Sequence, residues 1–219
     1  MLGLLLLLPS GLLNSYNNIA TIYGWAARLM FGSTIFNAQN ILINQLPKEG
    51  KLLVIGGGNG EILPLIFNHA PLLQIEYLES SSKMIELAKN NMCKGQIVRF
   101  NHSNNFKVFN CEFKSVFCAF FFDVFSFSQG QKIVQHLAEQ TNNILTWYVA
   151  DFVINTKTSM RMVRTIQIKL SIIFFNIFAK HEINHLPLVF NLFPKEYFNC
   201  LYNNTLSNGF IGVKVFKAK

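Results

Sequence analysis

Val54-Ile55-Gly56-Gly57-Gly58-Asn59-Gly60-Glu61 is the stretch whose reading decides the fold. It directly follows a short apolar run, Lys51–Ile55 (KLLVI), of the kind that forms a strand buried on both faces. It opens a helical pattern that runs from Glu61 to about Asn68. Glycines between a strand and a helix let the backbone turn tightly and come close to a ligand. The helix start adds N–H groups with no partner inside the helix. The spacing limits the ligand. A dinucleotide loop needs G-x-G-x-x-G. Glycines at 56, 58 and 60 give G-x-G-x-G, and the next position that pattern needs is Glu61. No Gly-Lys-Ser/Thr follows, which excludes a P-loop. Glu61 at the helix start repels a pyrophosphate and suits a ligand carrying an ammonium or hydroxyl groups.

Outward from the loop, β and α patterns alternate. Strands are predicted at 73–78, 97–100, 114–121 and 144–153, and helices at 81–91 and 129–140. This alternation implies a mostly parallel sheet with helices on both faces. Segments 197–203 and 210–216 read as strands joined by Ser207-Asn208-Gly209, a turn signal, so the sheet should end in an antiparallel hairpin. Before the core, 15–46 carries helical spacing in two pieces, broken at Gly32-Ser33, and 47–50 reads as a turn. After it, 159–180 reads as one long helix. The expected layout is a single domain: an apolar extension (1–14), N-terminal helices (15–50), a ligand-binding core (51–153), and a long helix or lid with the terminal hairpin (154–219).

Glu79 ends the second predicted strand in Ile75-Glu76-Tyr77-Leu78-Glu79-Ser80. An acid there can accept two hydrogen bonds from a ribose diol. Alone it would read as an acid favoured by a helix N-terminus. Together with the glycine loop it reads as a ribose ligand.

Composition narrows the field further. The 219 residues are 51% hydrophobic, too apolar for a disordered chain and enough for one core. No run reaches the roughly 18–20 apolar residues of a membrane span. The start, MLGLLLLLPS, has no Lys or Arg before Arg28 and no A-x-A site, so no secretory signal is expected. The net charge of +8 is scattered, with no basic run, which argues against nucleic acid as the partner. Cysteines 93, 111, 118 and 200 lack C-x-x-C spacing and read as buried free thiols in a reducing cytoplasm.

The ordered set VIGGGNGE and YLESS resembles the class I S-adenosylmethionine-dependent methyltransferase family over roughly 51–153. The wider pattern, with YNNIATIYGWAARLMFG and Ala38-Gln39, is similar to small bacterial methyltransferases of the quinone-biosynthesis type. The resemblance implies a Rossmann-like, doubly wound, mostly parallel seven-stranded sheet with a reversed last strand. It implies S-adenosyl-L-methionine as cofactor and a small-molecule acceptor. Gly56, Gly57, Gly58, Asn59 and Gly60 would line its methionine and ribose, and Glu79 would hold the ribose hydroxyls. Ser80 and Met84 would flank the adenine, Asn104 would meet the adenine amino group, and Cys118 would lie in the segment facing the methyl group. Two positions depart from the family: Val54 stands where an Asp or Glu is usual, and Asn104 replaces a frequent Asp. A non-catalytic nucleotide-binding or scaffold domain on the same fold is the alternative.

The other motifs carry less. His181-Glu182-Ile183-Asn184-His185 matches H-E-x-x-H, but Pro187 cuts a helix short there and no third ligand follows, so no metal is expected. His181, His185 and Tyr23 are candidate contacts for the acceptor, and a histidine can act as a base near neutral pH. Phe120, Phe121, Phe122, Phe125 and Phe127 read chiefly as core, with an apolar acceptor pocket as the functional reading. Residues 160–180 leave room for peripheral contact with a membrane surface.

Overall fold

The computed structural model describes residues 33–92, 94–103, 106–108, 112–141, 145–153 and 188–219. The expectations placed on 1–32, on Cys93, Asn104 and Cys111, and on 154–187 lie outside them. These include Tyr23, His181, His185 and the long helix.

Among the described residues the order is α1 (Thr34–Ile43), β1 (Glu49–Ile55), α2 (Ile62–His69), β2 (Leu72–Glu79), α3 (Ser82–Asn90), β3 (Ile97–His102), β4 (Ser115–Ala119), α4 (Phe127–Thr141), β5 (Thr146–Phe152), β6 (Phe198–Leu206) and β7 (Ile211–Ala218). Short 3-10 turns follow β4 (Phe122–Val124) and precede β6 (Val189–Leu192). One seven-stranded sheet forms, in the order β3-β2-β1-β4-β5-β7-β6. β1 to β5 are parallel, and β7 runs antiparallel to both β5 and β6. This is the Rossmann-like, doubly wound sheet with a reversed last strand. The order reverses between β1 and β4, and at such a switch point the carboxyl ends of the strands open a ligand crevice.

Two apolar layers sandwich the sheet. One face packs Leu52, Val54, Ile75, Tyr77 and Phe117 against Ala38 and Leu42 of α1, Leu63 and Ile66 of α2 and Ala88 of α3. The other packs Leu53, Ile55, Val116, Cys118 and Val149 against Ile133 and Leu137 of α4 and the Val189–Leu192 turn. Odd and even residues of β1 alternate between the layers, as a pleated strand requires. Burial on both faces explains why β1 and β4 read as continuous apolar runs.

Element ends are set locally. Ser81 Oγ accepts the Met84 N–H at 3.1 Å and caps α3. Ser126 and Gln129 cap α4 reciprocally: Ser126 Oγ takes the Gln129 N–H, and Gln129 Oε1 takes the Ser126 N–H. That reciprocal cap starts the helix at Phe127, two residues before its predicted start. Strand β1 begins at Glu49, inside the predicted turn. β4 stops at Ala119 rather than 121, because Phe120 adopts φ +55°, which ends an extended chain. The hairpin turn has Ser207, Asn208 and Gly209 all at positive φ. The expectation of buried thiols holds for Cys118 and fails for Cys200, which is exposed on the outer strand β6. Among the described residues no helix is long and apolar enough to cross a membrane.

Candidate functional site

The glycine loop leaves β1 at the switch point. The Gly56 N–H donates to the Leu78 carbonyl at 3.0 Å, which extends the β1–β2 ladder by one residue. Gly56, Gly58 and Gly60 sit at φ +63°, +62° and +79°. Three of the four glycines are also required by their surroundings. A Cβ at Gly56 would meet the Phe121 ring, and one at Gly57 would meet the Tyr77 hydroxyl. At Gly60 it would lie 2.6 Å from the Ala88 Cα, where the loop runs close against α3. Gly58 differs: nothing lies within 4 Å of a Cβ there. The loop is therefore packed from behind and open at Gly58.

Glu79 reaches this opening from the end of β2. Its Oε2 accepts the Gly58 N–H at 3.1 Å. Its Oε1 accepts the N–H groups of Ser80 (2.8 Å) and Ser81 (3.0 Å) and the Ser80 hydroxyl (3.3 Å). Oε1 is saturated. Oε2 has one donor among the described residues and keeps a lone pair for another. Burial raises the Glu79 pKa, and the four hydrogen bonds draw it back toward ionisation. Glu79 is buried, 7% exposed as a residue, so little water competes for that lone pair.

Val54 supplies no polar support to the loop, because it is wholly buried in the first apolar layer. Other residues hold the loop. The Tyr77 hydroxyl donates to the Gly58 carbonyl at 3.0 Å, and Asn91 Nδ2 donates to the Asn59 carbonyl at 2.9 Å. Asn59 Nδ2 in turn donates to Glu61 Oε1. Desolvation and the nearby Glu79 push the Tyr77 pKa well up, so the hydroxyl stays a donor. The sequence reading missed Tyr77, although it precedes Glu79 by two residues and so shares its face of the strand.

On the β3 side, His102 Nε2–H donates to the Ser80 carbonyl at 2.8 Å, and the Ser103 N–H donates to the Glu79 carbonyl at 3.2 Å. Ser80 is half-buried, and Met84 is buried in the first turn of α3. On the β4 side, Cys118 is in the second core layer with Sγ against the Tyr148 carbonyl, 3.5 Å away. Its thiol faces the core, and burial pushes its pKa well up. Gly56–Gly60, Glu79 and Ser80 thus form one cluster, and Cys118 stands apart from it.

The carboxyl ends of β4 and β5 hold two further acids that the sequence reading passed over. Asp151 accepts the Phe122 N–H on Oδ2 (3.2 Å) and the Phe152 N–H on Oδ1 (2.8 Å). Asp123 lies in the 3-10 turn that follows β4, two residues after Phe121, whose ring backs Gly56. Burial raises both carboxyl pKa values, and Asp123 raises that of Asp151 further.

No family model and no curated protein matches this sequence. Solved structures do. TnmH superposes with a TM-score of 0.67 at 12% identity, over 93% of this chain and 61% of that one. An O-methyltransferase family protein from Burkholderia thailandensis gives 0.66 at 11%, over 97% and 66%. The magnesium protoporphyrin IX methyltransferase ChlM from Synechocystis PCC 6803, solved with bound SAH, gives 0.63 at 13%, over 94% and 97%. The chain thus spans less than two thirds of the first two, and nearly the whole of ChlM. The reversing strand order, the glycine loop at its switch point and these superpositions agree: the chain has the class I S-adenosylmethionine-dependent methyltransferase fold.

Proposed function

We propose that the protein is a methyltransferase that uses S-adenosyl-L-methionine and a small, apolar or aromatic acceptor. The observation that carries this is the open cradle at Gly58 facing a buried Glu79 with one unused lone pair. A ribose hydroxyl suits that lone pair, and the absent Cβ at Gly58 leaves room for the ligand. The backbone of Gly56–Gly60 would hold the methionine and ribose, with Ser80 and Met84 beside the adenine. When bound, the cofactor supplies an electrophilic methyl group. The protein's part is to hold the acceptor in line and keep water out. Aromatic residues after β4 support an apolar acceptor: Phe120 packs on Phe152 at 5.1 Å, and Phe122 and Phe125 both pack on Phe121. The fold shared with the O-methyltransferase family protein and with ChlM supports the activity class.

Titration calorimetry with S-adenosylhomocysteine tests the reading. Wild type should bind, and Glu79→Ala should lose at least 100-fold, which is about 2.7 kcal/mol. Equal affinity in the two proteins contradicts it. The apolar Val54 favours a second reading, a nucleotide-binding domain without turnover. Tight S-adenosylhomocysteine binding with no methyl transfer across a broad panel of phenols, quinols and carboxylic acids would select it.

A further inference from the structure

Asp123 and Asp151 sit at the carboxyl ends of β4 and β5, where the crevice opens beside the glycine loop. Asp151 is satisfied by backbone donors on both oxygens. Asp123 is not: its Oδ1 is enclosed from solvent and has no hydrogen-bond partner among the described residues. Leaving a buried carboxylate oxygen unpaired costs on the order of 1–3 kcal/mol or more, so such an atom calls for an explanation. A donor brought by a ligand provides one. The surroundings favour a neutral donor. Asp123 is flanked in the chain by Phe121, Phe122, Val124 and Phe125, and an ammonium would lose more hydration there than a hydroxyl would.

We propose that Asp123 is a catalytic residue whose Oδ1 receives the hydrogen of the acceptor's hydroxyl group and takes up that proton. The inference rests on the methyl-transfer reading above. In the step, the acceptor's O–H bond breaks, its electron pair stays on the oxygen, and the proton forms a new O–H bond at Oδ1. The acceptor oxygen is left with the electron pair that a methyl acceptor needs. Asp151 is the positioning residue, through its hydrogen bond to the Phe122 N–H in the turn that carries Asp123. The titratable neighbours among the described residues are Asp151 on β5, which faces Asp123, and the Cys118 thiol on β4, which faces Asp151. Burial moves Asp123 to about 7, the range in which a base is half ionised at neutral pH and still holds a proton well.

The test uses the full chain with saturating S-adenosylhomocysteine and 4-nitrophenol as probe, whose ionised form is read by its visible absorbance. Wild type should bind 4-nitrophenol at least tenfold more tightly than Asp123→Asn, and, beyond the ionisation of the probe itself, which both proteins share, should show a pH dependence near 7 that Asp123→Asn lacks. In Asp151→Asn the Asp123 ionisation should fall only modestly, since burial and not the neighbouring charge is what raises it. Carbon NMR of the aspartate carboxyls in wild type provides a check that needs no variant to fold. It should show one carboxyl titrating near neutrality. Equal 4-nitrophenol affinity in wild type and Asp123→Asn, no binding of the probe, or no carboxyl titrating above pH 6 overturns the proposal. S-adenosylhomocysteine binding on the same samples separates the two readings. Its absence in wild type sinks the methyl-transfer reading, whereas its presence with an indifferent Asp123 sinks this proposal alone.

Discussion

Glu79 does two jobs at once. It ties the Gly58 amide to the end of β2, and it keeps one lone pair for a ligand. Glu79→Gln removes both together: with the amide oxygen kept by the Ser80 and Ser81 N–H groups, the NH2 takes the place of Oε2, where it can accept neither the Gly58 N–H nor a ligand hydroxyl. The variant should fold, lose roughly 1–2 kcal/mol of stability, and bind S-adenosylhomocysteine at least tenfold more weakly. Urea unfolding and calorimetry read the two effects. Asp123 gives a pH prediction. Its folded pKa is raised to about 7 from 3.8, so the folded state holds a proton that the unfolded chain has released. That contribution to stability is fully present below about pH 4 and is lost as pH rises through 7. Asp123→Asn should flatten the fall in urea midpoint over that window, and an unchanged slope would contradict the assigned ionisation. Glu79 was legible from its position after an apolar strand. The aspartate pair was not, because it forms only when β4 and β5 lie side by side.

At the scale of elements, the loop between β1 and α2 shows why its glycines are not equivalent. Gly60→Ala puts a methyl 2.6 Å from the Ala88 Cα, which is backbone and cannot swing away. It should force the loop away from α3 and cost roughly 3 kcal/mol or more, a midpoint drop of about 6–12 °C. Gly58→Ala meets open space, so it pays only for its φ of +62°, about 1–2 kcal/mol. Its methyl enters the cradle, however. It should keep a cooperative melt while S-adenosylhomocysteine affinity falls by tenfold or more. If Gly58→Ala binds normally, the ligand does not pass over Gly58. The strand-loop-helix unit was readable because a buried parallel strand is a plain apolar run and the glycines follow at once. Element ends were less readable. Phe120 ends β4 by its backbone conformation, and the α4 start depends on a reciprocal cap that hydrophobic periodicity alone does not register.

For the whole molecule, alternation of strand and helix signals followed by a turn-linked pair of strands was enough to anticipate a parallel sheet closed by a reversed hairpin. The order in which the strands lie was not readable from periodicity. The resemblance of the loop and the second-strand acid to a family implied only a doubly wound, seven-stranded sheet with a reversed last strand, and the structure supplies the order β3-β2-β1-β4-β5-β7-β6. That order brings Gly58, Glu79 and the β4 end to one edge of the sheet, which is the basis for assigning a site. The central claim is that this edge binds an adenosyl sulfur ligand. Thermal unfolding with S-adenosylhomocysteine, S-adenosylmethionine and NAD tests it most directly. A ligand at 100 times its dissociation constant stabilises by about 2.7 kcal/mol, a midpoint rise of roughly 5–10 °C for a chain this size. The account predicts that rise with the two adenosyl sulfur ligands and none with NAD. No rise with either at millimolar concentration, or a rise with NAD alone, would contradict it.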